Sequence, residues 1–388
     1  MLYLFILILL LSLSIFYDIC GGKKYAHFWY NIIFVIFVLM AGLRYRVGVD
    51  TTFSMYTFFH NTPSLDHFFD DITLFQYPLW KLLNSFVFTI GGMWYWVQLI
   101  QTAFVNFLLF RYFKKHCKYI FTCLFFYYIW LYAAINFEEM KASFAIVLSL
   151  YSYDYIIEKK YLYGIAFLLL GCMFHPSAIL VALFAFMTFI RFNSLGIIFL
   201  VCSFIIGDVL SNGFDYYFFF GFDDFFLEKA EHYVESDIFF ARDNKSVLFY
   251  IIRIAPLMLY PLASFLYVKH KKSFLDILKL EPYLIIGLFM VGISSSVIIF
   301  YRYNNFYIPI FILFISQATV DLIKAKSSIG LVWLIIIPLF FLNIYYYNKG
   351  RIDKFYPYSS VIDKQVYKSK EYRFNSERPT PYPNPKEY

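Results

Sequence analysis

Arg44, Arg46 and Asp50 fall together in Leu43-Arg44-Tyr45-Arg46-Val47-Gly48-Val49-Asp50, a polar break at the end of an apolar run. The two guanidiniums offer planar forks of N–H donors that match phosphate oxygens, and the carboxylate can orient an arginine or take a proton. Gly48 lets the backbone turn or approach a ligand closely. The chemistry such a set suits is the binding of a phosphate or diphosphate at a membrane surface. Two plainer uses stay open, because the arginines can snorkel to lipid headgroups and Asp50 can cap a following helix.

Three other segments carry comparable chemistry. Glu138, Glu139 and Lys141 bring both signs of charge into one short connection, which suits either an anion site with a carboxylate base or sugar ligand, or a solvated hairpin. In Phe174-His175-Pro176-Ser177 the proline disfavours an α conformation at His175 and suits the first turn of the next helix. The imidazole is thereby presented at a helix break, as general base, hydrogen-bond donor, phosphate ligand or structural group. In Tyr301-Arg302-Tyr303 an arginine lies between aromatics, an arrangement equally suited to phosphate and sugar or to an interfacial anchor. Arg253, inside the apolar stretch 247–268, needs a partner or a water-filled cavity.

The elements that must position these residues are membrane helices. The chain has 388 residues, 61% hydrophobic and 15% charged, far from the composition of a soluble domain. Uncharged stretches of roughly 16 to 22 residues suffice for helices to cross a hydrocarbon core of about 30 Å, and their continuity argues against the alternation of a β-barrel. The fold class expected is all-α and polytopic. Spans are expected at 1–19, 28–43, 93–113, 119–137, 141–157, 161–174, 176–190, 194–211, 247–268, 281–300, 305–323 and 329–347, about 12 helices, or 13 if residues 72–92 also cross. The first stretch lacks a basic n-region and a cleavage site and reads as a span. Residues 1–347 form the multi-span domain, with a loop at 212–246 rich in Phe, Tyr, Asp and Glu, suited to carbohydrate or to lying on lipid. Residues 348–388 form a polar, proline-containing tail, expected to be extended or disordered beyond Tyr358.

Charge bias orients the spans, since short cytoplasmic loops collect Lys and Arg. With 72–92 dipping in and returning, Lys23, Lys24, Arg111, Lys114, Lys115, Lys118, Lys159, Lys160, Arg191, Lys269, Lys271, Lys272, Lys279, Lys324 and Lys326 share the inner side. Arg44, Arg46, Asp50, Glu138, Glu139, Lys141, His175 and Arg302 then gather on the outer side, together with the N-terminus and the tail. The five cysteines are scattered without paired spacing and suggest neither metal site nor disulfide framework. No basic block resembles a nucleic-acid arm.

Against this background the sequence resembles the EpsG family of Wzy-type polysaccharide polymerases. Leu43-Arg44-Tyr45 followed by Val47-Gly48 and Asp50 resembles the family's first motif, Phe174-His175-Pro176-Ser177-Ala178 its histidine turn, and Tyr301-Arg302-Tyr303 its late arginine motif. Met140-Lys141-Ala142-Ser143 is a weaker match, with a lysine where the family more usually has arginine, and Thr51 stands where an aromatic is usual.

The resemblance implies a glycosyltransferase of GT-C-like architecture in the bacterial inner membrane, acting at its periplasmic face in lipopolysaccharide or other surface polysaccharide biosynthesis. It implies that undecaprenyl-diphosphate-linked oligosaccharides serve as donor and acceptor for an O-antigen or exopolysaccharide polymerase, without metal or other cofactor. A chain-length regulator and a flippase are implied as further partners. His175, Asp50, Glu138 and Glu139 become the candidates for acid, base or orienting roles. Arg44, Arg46, Lys141, Arg253, Arg302, Tyr301 and Tyr303 become the candidates for binding diphosphate and sugar. A lipid-linked oligosaccharide flippase and an O-antigen ligase are the competing functions. A transporter would be expected to show internal repeats and charges along a path through the membrane, neither of which is evident.

Overall fold

The structure, a computed structural model, describes residues 2–45, 47–48, 58–70, 77–213, 254–297, 300–325 and 358–362. Among these residues it is helical throughout, the one β-type pairing being an isolated bridge between Arg44 and Ser360. The helices are α1 (Leu2–Leu13), α2 (Ala26–Gly42), α3 (Pro78–Thr89), α4 (Trp94–His116), α5 (Ile120–Tyr127), α6 (Met140–Ile157), α7 (Tyr161–Phe174), α8 (Ala178–Ala185), α9 (Ser194–Gly213), α10 (Ala255–Lys271), α11 (Glu281–Ser294), α12 (Tyr301–Asn304) and α13 (Ile308–Ala325). Leu2–Ile19, Leu275–Ser294 and Ile308–Ala325 are long and apolar enough to cross a membrane. The shorter apolar helices Ala26–Gly42, Ile120–Tyr132, Tyr161–Phe174 and Ser194–Leu210 accompany them. This is a membrane protein.

One expected span takes another form. Residues 176–190 hold only the eight-residue α8, which rises about 12 Å before the chain turns at Phe186. The twelve-residue α3, with Pro78 in its first turn, rises about 18 Å, so among the described residues of the ambiguous stretch 72–92 no helix is long enough to cross. The apolar stretches expected at 329–347 and in the first part of 247–268, and nearly all of the loop 212–246, lie outside the described residues.

The interior is stitched by polar groups that composition alone does not reveal. On α4, Asn106 Nδ2 donates to Asn136 Oδ1 (2.8 Å), and Tyr127 donates its hydroxyl to Asn106 Oδ1 (2.8 Å). One turn up the same helix, Gln101 Nε2 donates to the Ile135 carbonyl (3.2 Å) and to Ser143 Oγ (2.8 Å). Hydrogen bonds donated by buried amides in this way are directional, so they fix the rotation of α4 against its neighbours where aliphatic contacts would leave it loose. Their partners belong to a chain that widens after α5 into two π-helical turns, Tyr128–Tyr132 and Ala134–Glu138. Such turns are rare and concentrate at functional sites.

The basic end of the bundle is closed by ion pairs. Asp154 Oδ2 accepts from both Lys115 Nζ and His116 Nε2, each at 2.8 Å, tying the end of α4 to the end of α6. Just beyond α6, the hydrogen bond from Lys160, with Lys115 adding its charge, holds the Glu158 carboxyl below the usual carboxylate range. Glu281 accepts from Lys269 Nζ (2.8 Å) and from the Phe192 amide (2.9 Å), joining α10, α11 and the chain after α8.

Beside Asp154 and Glu281, Tyr153, Tyr283 and Tyr307 stack across α6, α11 and the start of α13, with ring centroids 4.0 and 6.1 Å apart. Gly287 makes room for this stack, because a Cβ there would lie 2.6 Å from Tyr307 Cβ and 2.8 Å from the Phe311 ring. Replacing Gly287 with valine is expected to destabilise the protein by about 1–3 kcal/mol through overpacking, outweighing the gain in helix propensity. A thermal shift of detergent-solubilised protein checks this, and an unchanged midpoint would contradict the packing described.

Candidate functional site

The turn between the second π-helical segment and α6, Phe137 to Lys141, is where the candidate residues meet. The π turn ends at Glu138, α6 begins at Met140, and Glu139 between them adopts non-helical dihedrals. Its amide still bonds back to the Ala134 carbonyl at 2.8 Å. Three segments distant in sequence converge on these five residues, and a fourth packs on the first of the three.

The first is the Arg44 loop. Arg44 is completely buried. Its Nε donates to the Val47 carbonyl at 3.1 Å, one terminal nitrogen donates to the Ala41 carbonyl, and the other contacts Met140 Sδ at 3.1 Å. The guanidinium also lies 5.0 Å from the Phe137 ring centroid, a cation–π geometry. Gly48 has φ +99°, and a Cβ on it would stand 2.5 Å from the Phe137 carbonyl oxygen, so glycine is required both by conformation and by contact. Arg44 thus locks its own loop onto the turn at Phe137 and Met140.

The second segment is the C-terminal one. Tyr45 N–H donates to the Ser359 carbonyl at 2.9 Å and Val361 N–H to the Leu43 carbonyl at 2.8 Å, around the Arg44–Ser360 bridge. The Tyr358 hydroxyl donates to the Met40 carbonyl at 3.0 Å. Residues 358–362 therefore run antiparallel to the Arg44 loop and lie at the same end of the bundle.

The third is α3 with the break after α7. Lys141 Nζ sits 4.0 Å from the Tyr77 ring centroid and 5.5 Å from that of Phe58. The Tyr77 ring in turn packs against the His175 ring, with centroids 5.8 Å apart. His175 has extended dihedrals at the end of α7, as the following proline demands. Its Nδ1 lies 2.6 Å from Ser177 Oγ and accepts the Ser177 backbone N–H at 3.2 Å. Because a backbone amide can only donate, a neutral imidazole carries its proton on Nε2, which makes it a hydrogen-bond donor.

The fourth is the late arginine segment. Asn305 Nδ2 donates to Glu139 Oε2 at 3.0 Å, across 166 residues of sequence. Asn305 closes α12 by donating its amide to the Arg302 carbonyl at 3.2 Å, so Arg302, which is exposed, shares that turn. Tyr301 and Tyr303 are half-buried beside it, and Glu138 is buried within the π turn.

Arg44, Glu138, Glu139, Lys141, His175, Tyr301, Arg302 and Tyr303 are thus linked at one end of the bundle, while Arg46, Asp50 and Arg253 lie outside the described residues. Along α6, the rise from Met140 to Asp154 puts about 21 Å between this end and the Asp154 ion pairs at the other. Tyr77 and Asn305 were not foreseen as site residues. For Tyr77 the signal was available, since Tyr77-Pro78 marks a helix start beside the polar gap; for Asn305 there was none. Among the described residues, no group of three or more His, Cys, Asp or Glu is arranged to hold a metal ion.

A profile of the EpsG family matches residues 27–360, most of the chain. No curated protein and no solved structure matches it.

The antiparallel contact at Arg44 has a direct test. A chain ending at residue 357 is expected to expose the Arg44 loop to protease and to lower the thermal midpoint, whereas a chain ending at residue 362 keeps both as in the full chain. Equal behaviour of the two truncations would show that residues 358–362 do not hold the loop.

Proposed function

The chain belongs to the EpsG family, and on that premise we propose that it joins lipid-linked oligosaccharide repeat units into a surface polysaccharide. In this reading both substrates are carried on undecaprenyl diphosphate. A hydroxyl at the non-reducing end of one unit attacks the anomeric carbon of the sugar at the reducing end of another chain. The new glycosidic bond forms as the bond to the diphosphate breaks, and undecaprenyl diphosphate leaves with the electron pair. The observation that carries the reading is the convergence of Lys141, His175 and the Arg302 turn on the Phe137–Lys141 segment at one end of a membrane bundle.

Lys141 and Arg302 are the cations we assign to the diphosphate, whose developing charge they stabilise electrostatically. His175, donating from Nε2, hydrogen-bonds a phosphate or sugar oxygen. The proton of the attacking hydroxyl then falls to a carboxylate, for which Glu139, Glu138 and Asp50 are the candidates. Tyr77, Tyr301 and Tyr303 offer aromatic faces for sugar C–H groups. Arg44 is a positioning residue, because its nitrogens are directed at Ala41, Val47 and Met140. Arg46 and Arg253 remain further candidates for the diphosphate.

The basic residues of the opposite end favour the cytoplasm for that end and the periplasm for the site. Twelve crossings with α3 lying on the outer side is the count that agrees with both this bias and the shortness of α3. A chain-length regulator and a flippase are the proposed partners. The alternatives of flippase and ligase are separated by purified protein given only lipid-linked repeat units: a polymer ladder supports the polymerase, and redistribution between leaflets without elongation supports a transporter.

Arg302→Ala and Lys141→Ala are expected to leave membrane insertion and thermal stability near wild type while lowering the rate of polymer formation at least about 100-fold, the scale for loss of one charge-stabilising donor. Lys141→Arg is expected to recover part of the rate. Long-chain polysaccharide at normal levels in both alanine variants would remove the proposed diphosphate clamp.

A further inference from the structure

The helix α3 is amphipathic in the inverted sense. Trp80, Asn84 and Ser85 have no exposed surface and Lys81 has 4%, whereas Leu82, Phe86 and Phe88 are 41%, 49% and 40% exposed. Its apolar side therefore faces outward, as lipid would favour, and its polar side faces protein. At about 100° per residue, Tyr77, Lys81, Asn84 and Ser85 fall on one stripe of the helix, with Trp80 beside it.

Both ends of α3 lie at the site end of the bundle. Tyr77, at its start, touches Lys141 and His175. At its finish the chain passes through a short turn into α4, whose Gln98 Nε2 approaches the Arg44 carbonyl at 3.4 Å. The helix thus lies over the site, and its polar stripe looks toward α6 and α7. Trp80 packs its ring on Phe144 at 6.1 Å, and Phe144 is stacked on Phe174 at 4.2 Å, directly before His175.

Three atoms on this inward side are buried and have no hydrogen-bond partner among the described residues: Trp80 Nε1, Asn84 Oδ1 and Ser85 Oγ. Each such orphan costs free energy on folding, about 1–3 kcal/mol for a neutral group, and three along two turns of one short helix is a concentration that packing does not explain. Together they form a set of one donor, one acceptor and one hydroxyl that can do either, with the Lys81 ammonium on the same stripe. That is the complement of a sugar, whose hydroxyls both donate and accept.

We propose that the inward stripe of α3, formed by Trp80, Lys81, Asn84 and Ser85, is a glycan subsite that receives sugar hydroxyls of the lipid-linked repeat unit next to its diphosphate. The proposal rests on the function assigned above and adds to it the surface that distinguishes the sugar from the lipid carrier. Because these atoms have no exposed surface, the subsite forms as α3 shifts to admit the sugar, whose hydroxyls then donate to Asn84 Oδ1 and Ser85 Oγ and accept from Trp80 Nε1. Lys81 adds a cation beside them, one helical turn from the Tyr77–Lys141 contact.

The test compares the full chain with Asn84→Leu and Ser85→Ala in lipid nanodiscs. The probes are undecaprenyl diphosphate bearing the repeat unit, extracted from cells that make the polysaccharide, and undecaprenyl diphosphate alone. Each variant is expected to weaken binding of the sugar-bearing lipid about two- to tenfold, the scale of one hydrogen bond, and to leave binding of the bare lipid unchanged. Thermal midpoints are expected to stay level or rise, because each substitution removes an orphaned polar atom. Ser85→Ala, the smaller change, keeps the test valid if Asn84→Leu fails to fold. Unchanged binding of both lipids, as for a stripe holding only water, or equal weakening of both would overturn the subsite while leaving the function standing. A wild-type protein that binds neither lipid would overturn the function and the subsite with it.

Discussion

An arginine with no exposed surface cannot remain in an apolar bundle unless its N–H groups meet oxygen, sulfur or an aromatic face, and Arg44 meets all three. That requirement decides the local fold. The carbonyls of Ala41 and Val47 have to curl around the guanidinium, which bends the chain sharply after α2 and presses Gly48 against Phe137. Once Phe137 and Met140 are held, the turn between the π-helical segment and α6 has one position. Lys141, Glu139 and, through Tyr77, His175 then take theirs.

The constraint works only because the other side of that turn is also rigid. The hydrogen bonds from Gln101 and Asn106 reach Ile135, Asn136 and Ser143, residues on either side of Phe137–Lys141. A membrane bundle lacks the hydrophobic force that drives a soluble core together, and packing with interhelical hydrogen bonds takes its place. Here both are used, with polar amides around the site and aromatic stacking such as Tyr153–Tyr283 toward the Asp154 end. At the end far from the site, ion pairs around Asp154 and Glu281 join helix ends. The described charged residues thus serve two purposes that α6 keeps about 21 Å apart.

Much of this was legible in the sequence, and the reasons for the remainder are physical. Long uncharged runs have few alternatives to a helix, so α2, α4, α6, α7 and α9 begin and end within a few residues of their expected spans, and α1 does so with the π-helical turn Ser14–Ile19 that continues it. His175 was legible as a helix break because Pro176 restricts the residue before it. The eight-residue α8 was not, since an apolar run says nothing about where a helix will turn within the membrane. The π-helical turns were hidden as well, because residues 128–138 carry no composition that separates a π turn from an α turn. Arg44 and Arg302 looked alike in sequence, each beside tyrosine, yet one is buried against its own backbone and the other is exposed; the difference lies in neighbours supplied by Met140 and Phe137. The Glu139–Asn305 hydrogen bond and the pairing of residues 358–362 with the Arg44 loop join parts of the chain hundreds of residues apart, where local pattern has no reach.

The central claim is that the Phe137–Lys141 turn holds cations against the diphosphate of a lipid-linked glycan at one face of the membrane. Cryo-electron microscopy of the full chain in nanodiscs with an undecaprenyl-diphosphate-linked repeat unit measures this most directly. The account predicts phosphate density within hydrogen-bonding reach of Lys141 and Arg302, on the side of the bundle opposite Asp154 and Glu281. Phosphate bound at the Asp154 and Glu281 end, or a glycan lodged midway along a path between the two faces with Lys141 and Arg302 making no contact, would contradict it.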